Sequence, residues 1–467
     1  MKKTLALLMA AAMAFGLTAC GGDQPAANNT DTPVATTAPA AEVTTEPAAV
    51  EPPAVAEGPE GYPQYTGDPV ELRLAYWGND DRVQRTDDVI ALFESYYPSI
   101  KVTGEPAPGT NEMFDMVKTQ LTAGNAADII QMGGNFADFK EFIVPLQSYF
   151  GGELANVADP AAFDQTTFDI YSAGGDRLGV CVGKNLLALV YNKTLLESAG
   201  APLPPATWTW EEMKAYGESV KALLPEGVYP FVDNAANQAN YIAYWFRQLD
   251  KPVWTSDLQT FVDADGAKGW LDVWTGYIAD GLVPDAETTG GYAETSPDTS
   301  ALIAGKAAVG LIWANQIGAY QGATTDELGL TVLPTGGKPA LATQGSQCFT
   351  INKTAASVEA AALFLNFFAS HPEAAAILQT NRGIPSSIPA LESLSASAEG
   401  ADKILFDYSA FAAASGQTIP QDPNLPGDQE FIQELQRIYQ AVQFGEATND
   451  EGAQQIVELI TRLAATG

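Results

Sequence analysis

The side chains in this sequence best suited to chemistry are aromatic rings set beside amides and acids, rather than nucleophiles set beside bases. Three segments end alike: Trp77-Gly-Asn-Asp-Asp-Arg82, Gln131-Met-Gly-Gly-Asn135 and Trp313-Ala-Asn315. A sugar presents a C–H face that suits an aromatic ring, and a rim of hydroxyls that each donate and accept hydrogen bonds. Trp77 and Trp313 are therefore the candidate stacking rings. Asn79, Asp80, Asp81, Arg82, Asn135 and Asn315 are the candidate hydroxyl partners. Catalytic signatures are missing. The one histidine, His371, precedes Pro372 at a helix junction, the setting of a surface capping residue. There is no G-x-S-x-G elbow, no His/Cys metal cluster and no P-loop, and no cofactor is expected. Asp263-Ala-Asp265-Gly266 shares two positions with a calcium loop but lacks the third ligand and the closing Glu. Because the chain holds 57 acidic residues, residue type alone leaves a glycosidase-like carboxylate pair open.

Those ends need strands and helices to hold them. Val70–Trp77 alternates like a strand, with a polar turn over Gly78–Arg82. Val83–Tyr97 reads as an amphipathic helix with Val89, Ile90, Leu92 and Phe93 inward. Strands at Ile100–Val102 and Ala127–Met132 flank a helix over Met113–Ala123 that Gly124 closes. This β-α-β-α-β series argues an α/β fold with a mainly parallel sheet, in which ligands sit outside the carboxyl ends of strands. Leu186–Tyr191 is a continuous apolar run, the mark of a strand buried on both faces. A short helix, Leu195–Ala199, closes at Gly200. Pro204-Pro205 interrupts the chain, and Thr209 with Glu212 forms a capping box for the next helix.

Length and charge narrow the classes. A chain of 467 residues exceeds what one core usually serves, so two lobes are expected. Net charge is −34, which repels nucleic acid and anionic lipid surfaces. Residues 1–20 read as a signal segment, with Lys2-Lys3 ahead of the apolar Leu5–Leu17, and no apolar run long enough to span a bilayer follows. Residues 21–66 are rich in Ala, Pro, Thr and Glu and read as a disordered tether.

Over Gly179–Val220, a strand is followed by Tyr191-Asn192-Lys193, a short helix, Gly200, Pro204-Pro205 and Thr207-Trp208, with Glu211 or Glu212 as the acid. This order resembles the extracellular solute-binding proteins of ABC importers, family 1, the sugar-binding group like maltose-binding protein. Ala123-Gly124 with Asp128, the run Leu302–Trp313 through Gly305-Lys306-Ala-Ala, and Leu330–Pro334 extend the likeness over about residues 70–465. Leu17-Thr-Ala-Cys20-Gly resembles a bacterial lipobox, implying cleavage before Cys20 and acylation of its thiol and amine.

The resemblance implies a two-lobed periplasmic-binding-protein-like fold of class II, with a hinge and a ligand cleft between lobes. Lobe 1 would hold residues 67–183 and about 334–372; lobe 2 would hold 184–333 and about 373–467. It adds a stacking role for Trp313 and a turn at Asn381-Arg382-Gly383, where two readings stay open for Arg382: a side chain reaching inward to the ligand or a purely structural turn. Gln344, Ser346 and Gln347 precede a strand that would line the cleft. Tyr241, Trp245, Arg247 and Tyr292 are secondary candidates, since an aromatic stripe at helical spacing usually belongs to a core. Trp208 and Trp210 are assigned to helix packing. Cys181 and Cys348 fall beside the two lobe crossings, and two readings stay open for them: a disulfide or two buried thiols. The implied protein is a monomeric, extracytoplasmic lipoprotein that is not an enzyme. It carries a mono- or oligosaccharide to the transmembrane subunits of an ABC permease, touches the membrane through its lipid alone and binds no nucleic acid. Its rivals are a receptor of the same fold for a non-sugar polar solute such as a polyamine, and a secreted glycoside-acting enzyme.

Overall fold

The computed structural model describes residues 57–465, apart from 134–135, 150–158, 169, 174, 256–258, 295 and 422–427. The signal segment, Cys20, most of the tether and Asn135 lie outside the described residues.

Two sheets organise the chain. The first runs, in spatial order, Ile384–Pro385, Val180–Asn185, Leu341–Ile351, Ile129–Met132, Val70–Trp77 and Ile100–Ala107, with Thr418–Pro420 added beside Leu341–Thr343. Its three N-terminal strands are parallel, as the alternating strands and helices predict. Leu341–Ile351 runs antiparallel to Ile129–Met132 and Val180–Asn185, Ile384–Pro385 runs antiparallel to Val180–Asn185, and Thr418–Pro420 runs parallel to Leu341–Thr343, so the sheet is mixed. Alternation along Val70–Trp77 sends Leu72, Leu74 and Tyr76 into one core and Ala75 and Trp77 towards another on the opposite face. The second sheet runs Leu328–Thr331, Leu187–Asn192, Ala307–Trp313 and Tyr229–Phe231. It packs under a separate core rich in tryptophan, including Trp208, Trp270 and Trp274. Two lobes result. The chain crosses between them at Leu186, again over Val332–Ala340, and once more between Pro385 and Gly400.

Local signals held where a specific side chain enforces them. The Thr209–Glu212 capping box is present, Gly124 takes the left-handed conformation that closes its helix, and Gly200 has φ +67°. Trp208 Nε1 donates to Val332 O at 2.9 Å and Trp210 Nε1 donates to Gln248 Oε1 at 2.9 Å, so both rings lock helices.

Several expectations need correction. Gly78–Arg82 is not simply a polar turn: the helix spans Asp80–Tyr96, and Asn79 caps it by accepting from Arg82 N. Order begins well before Pro69. Glu57 bridges Tyr65, Tyr65 is buried, and the Tyr62 ring lies 4.9 Å from that of His371. These two tyrosines supply the apolar area that the rest of the tether lacks. The chain also stays with the first lobe beyond residue 372. Helix Pro372–Leu378 packs on Asp80–Tyr96, and Ile384–Pro385 pairs with Gly183 and Lys184; the next helix to join the second lobe is Gly400–Ala414. His371 is not a surface cap. It is 6 % exposed, stacks on Phe367 at 4.3 Å, and makes no side-chain cap, and burial lowers its pKa. Asp263 is a helix cap, accepting from Gly266 N and pairing with Lys251, which accounts for the partial calcium-loop pattern.

Candidate functional site

Strand register shows where ligand-facing edges must lie. In the first sheet Trp77, Met132, Asn185 and Gln344 all sit at one edge, because Cys348 pairs with Met132 and Gln344 with Asn185. The chain leaves for the second lobe from that edge. In the second sheet Leu187 pairs with Trp313 and Leu189 with Thr331, so Trp313 lies at the edge where the chain arrives. The two edges therefore flank the same crossings, and each ends in a tryptophan. Both rings are only partly buried: Trp77 lies beside Phe114 at 6.0 Å, and Trp313 packs against the second core.

The predicted polar partners divide. Asn79 and Asp80 are exposed at the helix start, where an acid complements the dipole. Asp81 and Arg82 are structural: Asp81 pairs with Arg85 at 3.0 Å and accepts from Asn381 Nδ2, while Arg82 donates to Asn381 Oδ1 and O, each at 3.0 Å. Burial lowers the Arg82 pKa. Arg382 is a correction of the same kind. At 3 % exposure it donates to Gln131 Oε1, Gln347 Oε1 and Thr86 Oγ1 at 2.8–2.9 Å, inside the first lobe. Burial, with a smaller contribution from Arg82, pushes its pKa down to about 9. The backbone around it is tight, since a Cβ on Gly183 would lie 2.2 Å from Arg382 O. Ser346 donates to Gly183 O and Arg382 O and holds that turn, and Gln347 is consumed by Arg382. Gln344 remains half-buried within strand Leu341–Ile351, opposite Asn185.

In the second lobe Tyr241 is fully buried against Trp210, Trp270 and Trp274 and cannot meet a ligand. Trp245 donates to Gly266 O at 2.9 Å and packs edge-on to Trp210, Arg247 is buried beside Ala340 O, and Tyr292 packs on the core. The stripe is core because its ring faces are covered by other rings. Asn315, in contrast, stands just past the Trp313 strand end with Oδ1 enclosed and without a hydrogen-bond partner among the described residues.

Sequence reasoning missed the turn after strand Tyr229–Phe231. That strand runs parallel to Ala307–Trp313, so its carboxyl end shares the site edge. Asn234 Oδ1 accepts from Leu311 N at 3.0 Å, leaving its Nδ2 without a partner among the described residues, and neither side-chain atom of Asn237 has one among them. Asp233, buried at the start of the turn, accepts from Ala235 N, Tyr439 OH and Gln443 Nε2, and burial raises its pKa to about 6. On the first-lobe edge Asn185 Oδ1 is likewise unpartnered. The available signal was the amide-rich run Asp233-Asn-Ala-Ala-Asn-Gln-Ala-Asn240 between a strand and a helix. Cys181 and Cys348 are paired in register on adjacent strands, and both are free and buried. A cavity of about 780 Å³ lies elsewhere, between strand Leu328–Thr331 and helix Gly400–Ala414. Its walls come from the second lobe alone and are mainly apolar, so it does not join the two edges.

Two α/β lobes, joined by crossings beside which strand ends and tryptophans gather, match the two-lobed fold of solute-binding proteins. The chain belongs to the family of bacterial extracellular solute-binding proteins, whose model matches residues 80–375. An extracellular solute-binding protein family 1 structure from Alicyclobacillus acidocaldarius superposes with TM-score 0.76 at 25 % identity, covering 86 % of this chain and 100 % of that one. A periplasmic oligogalacturonide-binding protein of Yersinia enterocolitica has the same fold, with TM-score 0.69, 20 % identity and coverage of 85 % and 99 %. A binding protein of Brucella abortus is 26 % identical over 208 residues, 44 % of this chain. The chain spans about half the length of the curated relatives it matches, 48 % in that case. Family membership implies a location outside the cytoplasm.

Proposed function

We propose that this protein is the receptor subunit of an ABC importer, that it captures a mono- or oligosaccharide, and that closure about the crossings between the lobes presents the cargo to the transmembrane subunits. The single observation supporting this is that Trp77 and Trp313 each end a strand beside the crossings, one in each lobe. An aromatic ring from each lobe would suit a flat C–H face, and amides beside them would suit hydroxyls. Related folds point the same way, one binding oligogalacturonide and another, from Listeria monocytogenes, holding cycloalternan. Cleavage before Cys20 and acylation there would tether a monomeric receptor to the outer face of the membrane. A receptor must release its cargo intact, so it is proposed not to be an enzyme.

Titration of intrinsic tryptophan fluorescence with an oligosaccharide panel tests the reading, alongside an assay for released reducing sugar. Saturable change without hydrolysis is expected. Trp313→Ala should weaken binding at least tenfold while circular dichroism and the melting temperature stay near those of the parent. Undiminished affinity in that variant would remove Trp313 from the site.

A further inference from the structure

We infer that the second lobe carries a further binding site, apart from the strand ends, where a short uncharged apolar peptide adds to the outer edge of strand Leu328–Thr331. That strand stands at the end of its sheet and pairs antiparallel with Leu187–Asn192. Antiparallel strands turn alternate residues towards their neighbour. Lys193 N donates to Glu327 O at 2.8 Å, just ahead of the strand. Gly329 and Thr331 therefore face the neighbour, while Leu328, Leu330 and Val332 turn their backbone outward. Two of the outward residues are answered from within the lobe. Leu328 N donates to Gln321 Oε1 at 3.0 Å, and Val332 O accepts from Trp208 Nε1 at 2.9 Å. Between them, the N–H and C=O of Leu330 have no hydrogen-bond partner among the described residues. An open strand edge is a template for another chain.

The cavity of about 780 Å³ lies at this gap. Gln321 and Ala206, which flank the gap, both line it beside Leu330, and Leu203, Ile404 and Phe411 give it apolar walls. Phe411 is 39 % exposed, so its ring is open to a guest. Gly329 makes room for one more ring: a Cβ there would lie 2.3 Å from Tyr191 Cζ, and Tyr191 also lines the cavity. The volume is that of a small-molecule site. Its walls select the guest. A sugar would set hydroxyls against apolar side chains, which is costly. A charged guest gains no counter-ion, because Lys193 is paired with Glu327 at 2.6 Å and Asp407 with Lys403 at 2.9 Å. An uncharged peptide meets both demands: one N–H and one C=O answer Leu330, and apolar side chains cover the walls. Gln321 and Trp208 stop the ladder on either side, so a short peptide fits and a long partner strand does not.

The test is calorimetric titration with N-acetyl-leucyl-valyl-leucinamide and with its analogue N-methylated at every residue, together with amide hydrogen exchange. The parent should bind the first peptide one to one and the methylated analogue at least tenfold more weakly. Exchange of the Leu330 amide should slow at least tenfold at saturation. Leu330→Pro deletes that N–H at an edge position, where proline is tolerated, and Phe411→Ala removes a wall. Each should weaken binding fivefold or more, with melting temperatures reporting folding. Phe411 is a surface side chain of a different element, so the idea remains testable if the proline variant fails to fold. Equal affinity for the two peptides, or no saturable binding, overturns the site. So does protection of Leu330 without peptide that fades on dilution, the mark of a second copy on the edge. The site uses neither strand-end tryptophan, so its failure leaves the receptor reading standing.

Discussion

Asp233→Asn isolates the electrostatics of the turn that carries Asn234 and Asn237. The parent carboxyl is buried, and burial raises its pKa from about 3.8 to about 6 although Ala235 N, Tyr439 OH and Gln443 Nε2 all donate to it. Native protein therefore keeps this proton up to about pH 6, whereas the unfolded chain loses it near pH 3.8. Between those values the native state binds more protons, so its stability falls as pH rises, and the stabilisation present below the unfolded pKa is lost through the folded one. The difference of about two units, at ~1.36 kcal/mol per unit, amounts to about 3 kcal/mol in all, of which about 2–3 kcal/mol falls between pH 4 and pH 7. Asparagine keeps the shape and does not titrate. Other acids, such as Asp164 beside Lys184, are shifted downward and push stability the other way, so the informative quantity is parent minus variant. Chemical denaturation of both proteins across pH 4–7 should show the variant gaining on the parent by that amount as pH rises. Parallel curves, separated by a constant at every pH, would show that Asp233 does not titrate differently on folding and would refute the argument.

Tyr62→Ala should cost about 1–3 kcal/mol, because the ring packs on Phe367 and His371 and holds the segment before the first strand; denaturant midpoints measure this, and an unchanged midpoint would return residues 57–66 to the tether. Cys181 and Cys348 should resist maleimide in the native protein, since burial raises both thiol pKa values, that of Cys181 to about 12. Both should label in denaturant without reductant, as counted by intact-mass spectrometry, and absence of labelling there would reveal a disulfide.

What the sequence disclosed depended on whether a residue's role is set by its neighbours in the chain. The Thr209–Glu212 box, the Gly124 cap and the buried strand after Leu186 follow from local spacing, and all are present. Trp77 and Trp313 were legible as strand-end rings because a strand's direction fixes which end opens outward. Arg382 and Tyr241 were misjudged for one reason. Their partners, Gln131 and Thr86 for the one and Trp270 and Trp274 for the other, are remote in sequence, and nothing local shows that the terminal guanidinium nitrogens or the ring faces are already engaged. Asn234 and Asn237 failed in the opposite sense: an amide-rich turn looks like any solvent loop until strand pairing sets it beside Leu311. The late return to the second lobe was hidden because only pairing with Gly183 and Lys184 keeps Ile384–Pro385 in the first sheet.

On the receptor reading, the division of the site between edges sets how closure can work. Moving a two-state equilibrium from mostly open to mostly closed takes about 5.5 kcal/mol of differential binding. A hydrogen bond contributes about 1 kcal/mol net, and somewhat more when it satisfies an enclosed orphan. The first-lobe edge offers Trp77, and the second offers Trp313 with Asn315 just past it. Neither side alone discriminates between open and closed, because a ligand bound to one lobe keeps the same contacts in both states. Only the contacts added on reaching the opposite edge count toward the shift, and the first lobe supplies the smaller number. The prediction is therefore asymmetric. Trp77→Ala should depress ligand-induced closure, read by small-angle scattering at saturating sugar, more than it depresses affinity for the open state. Trp313→Ala should depress affinity first. Equal effects of the two variants on closure and on initial binding would mean that the ligand does not dock on the second lobe before the first, and the sequence of events would have to be reversed or abandoned.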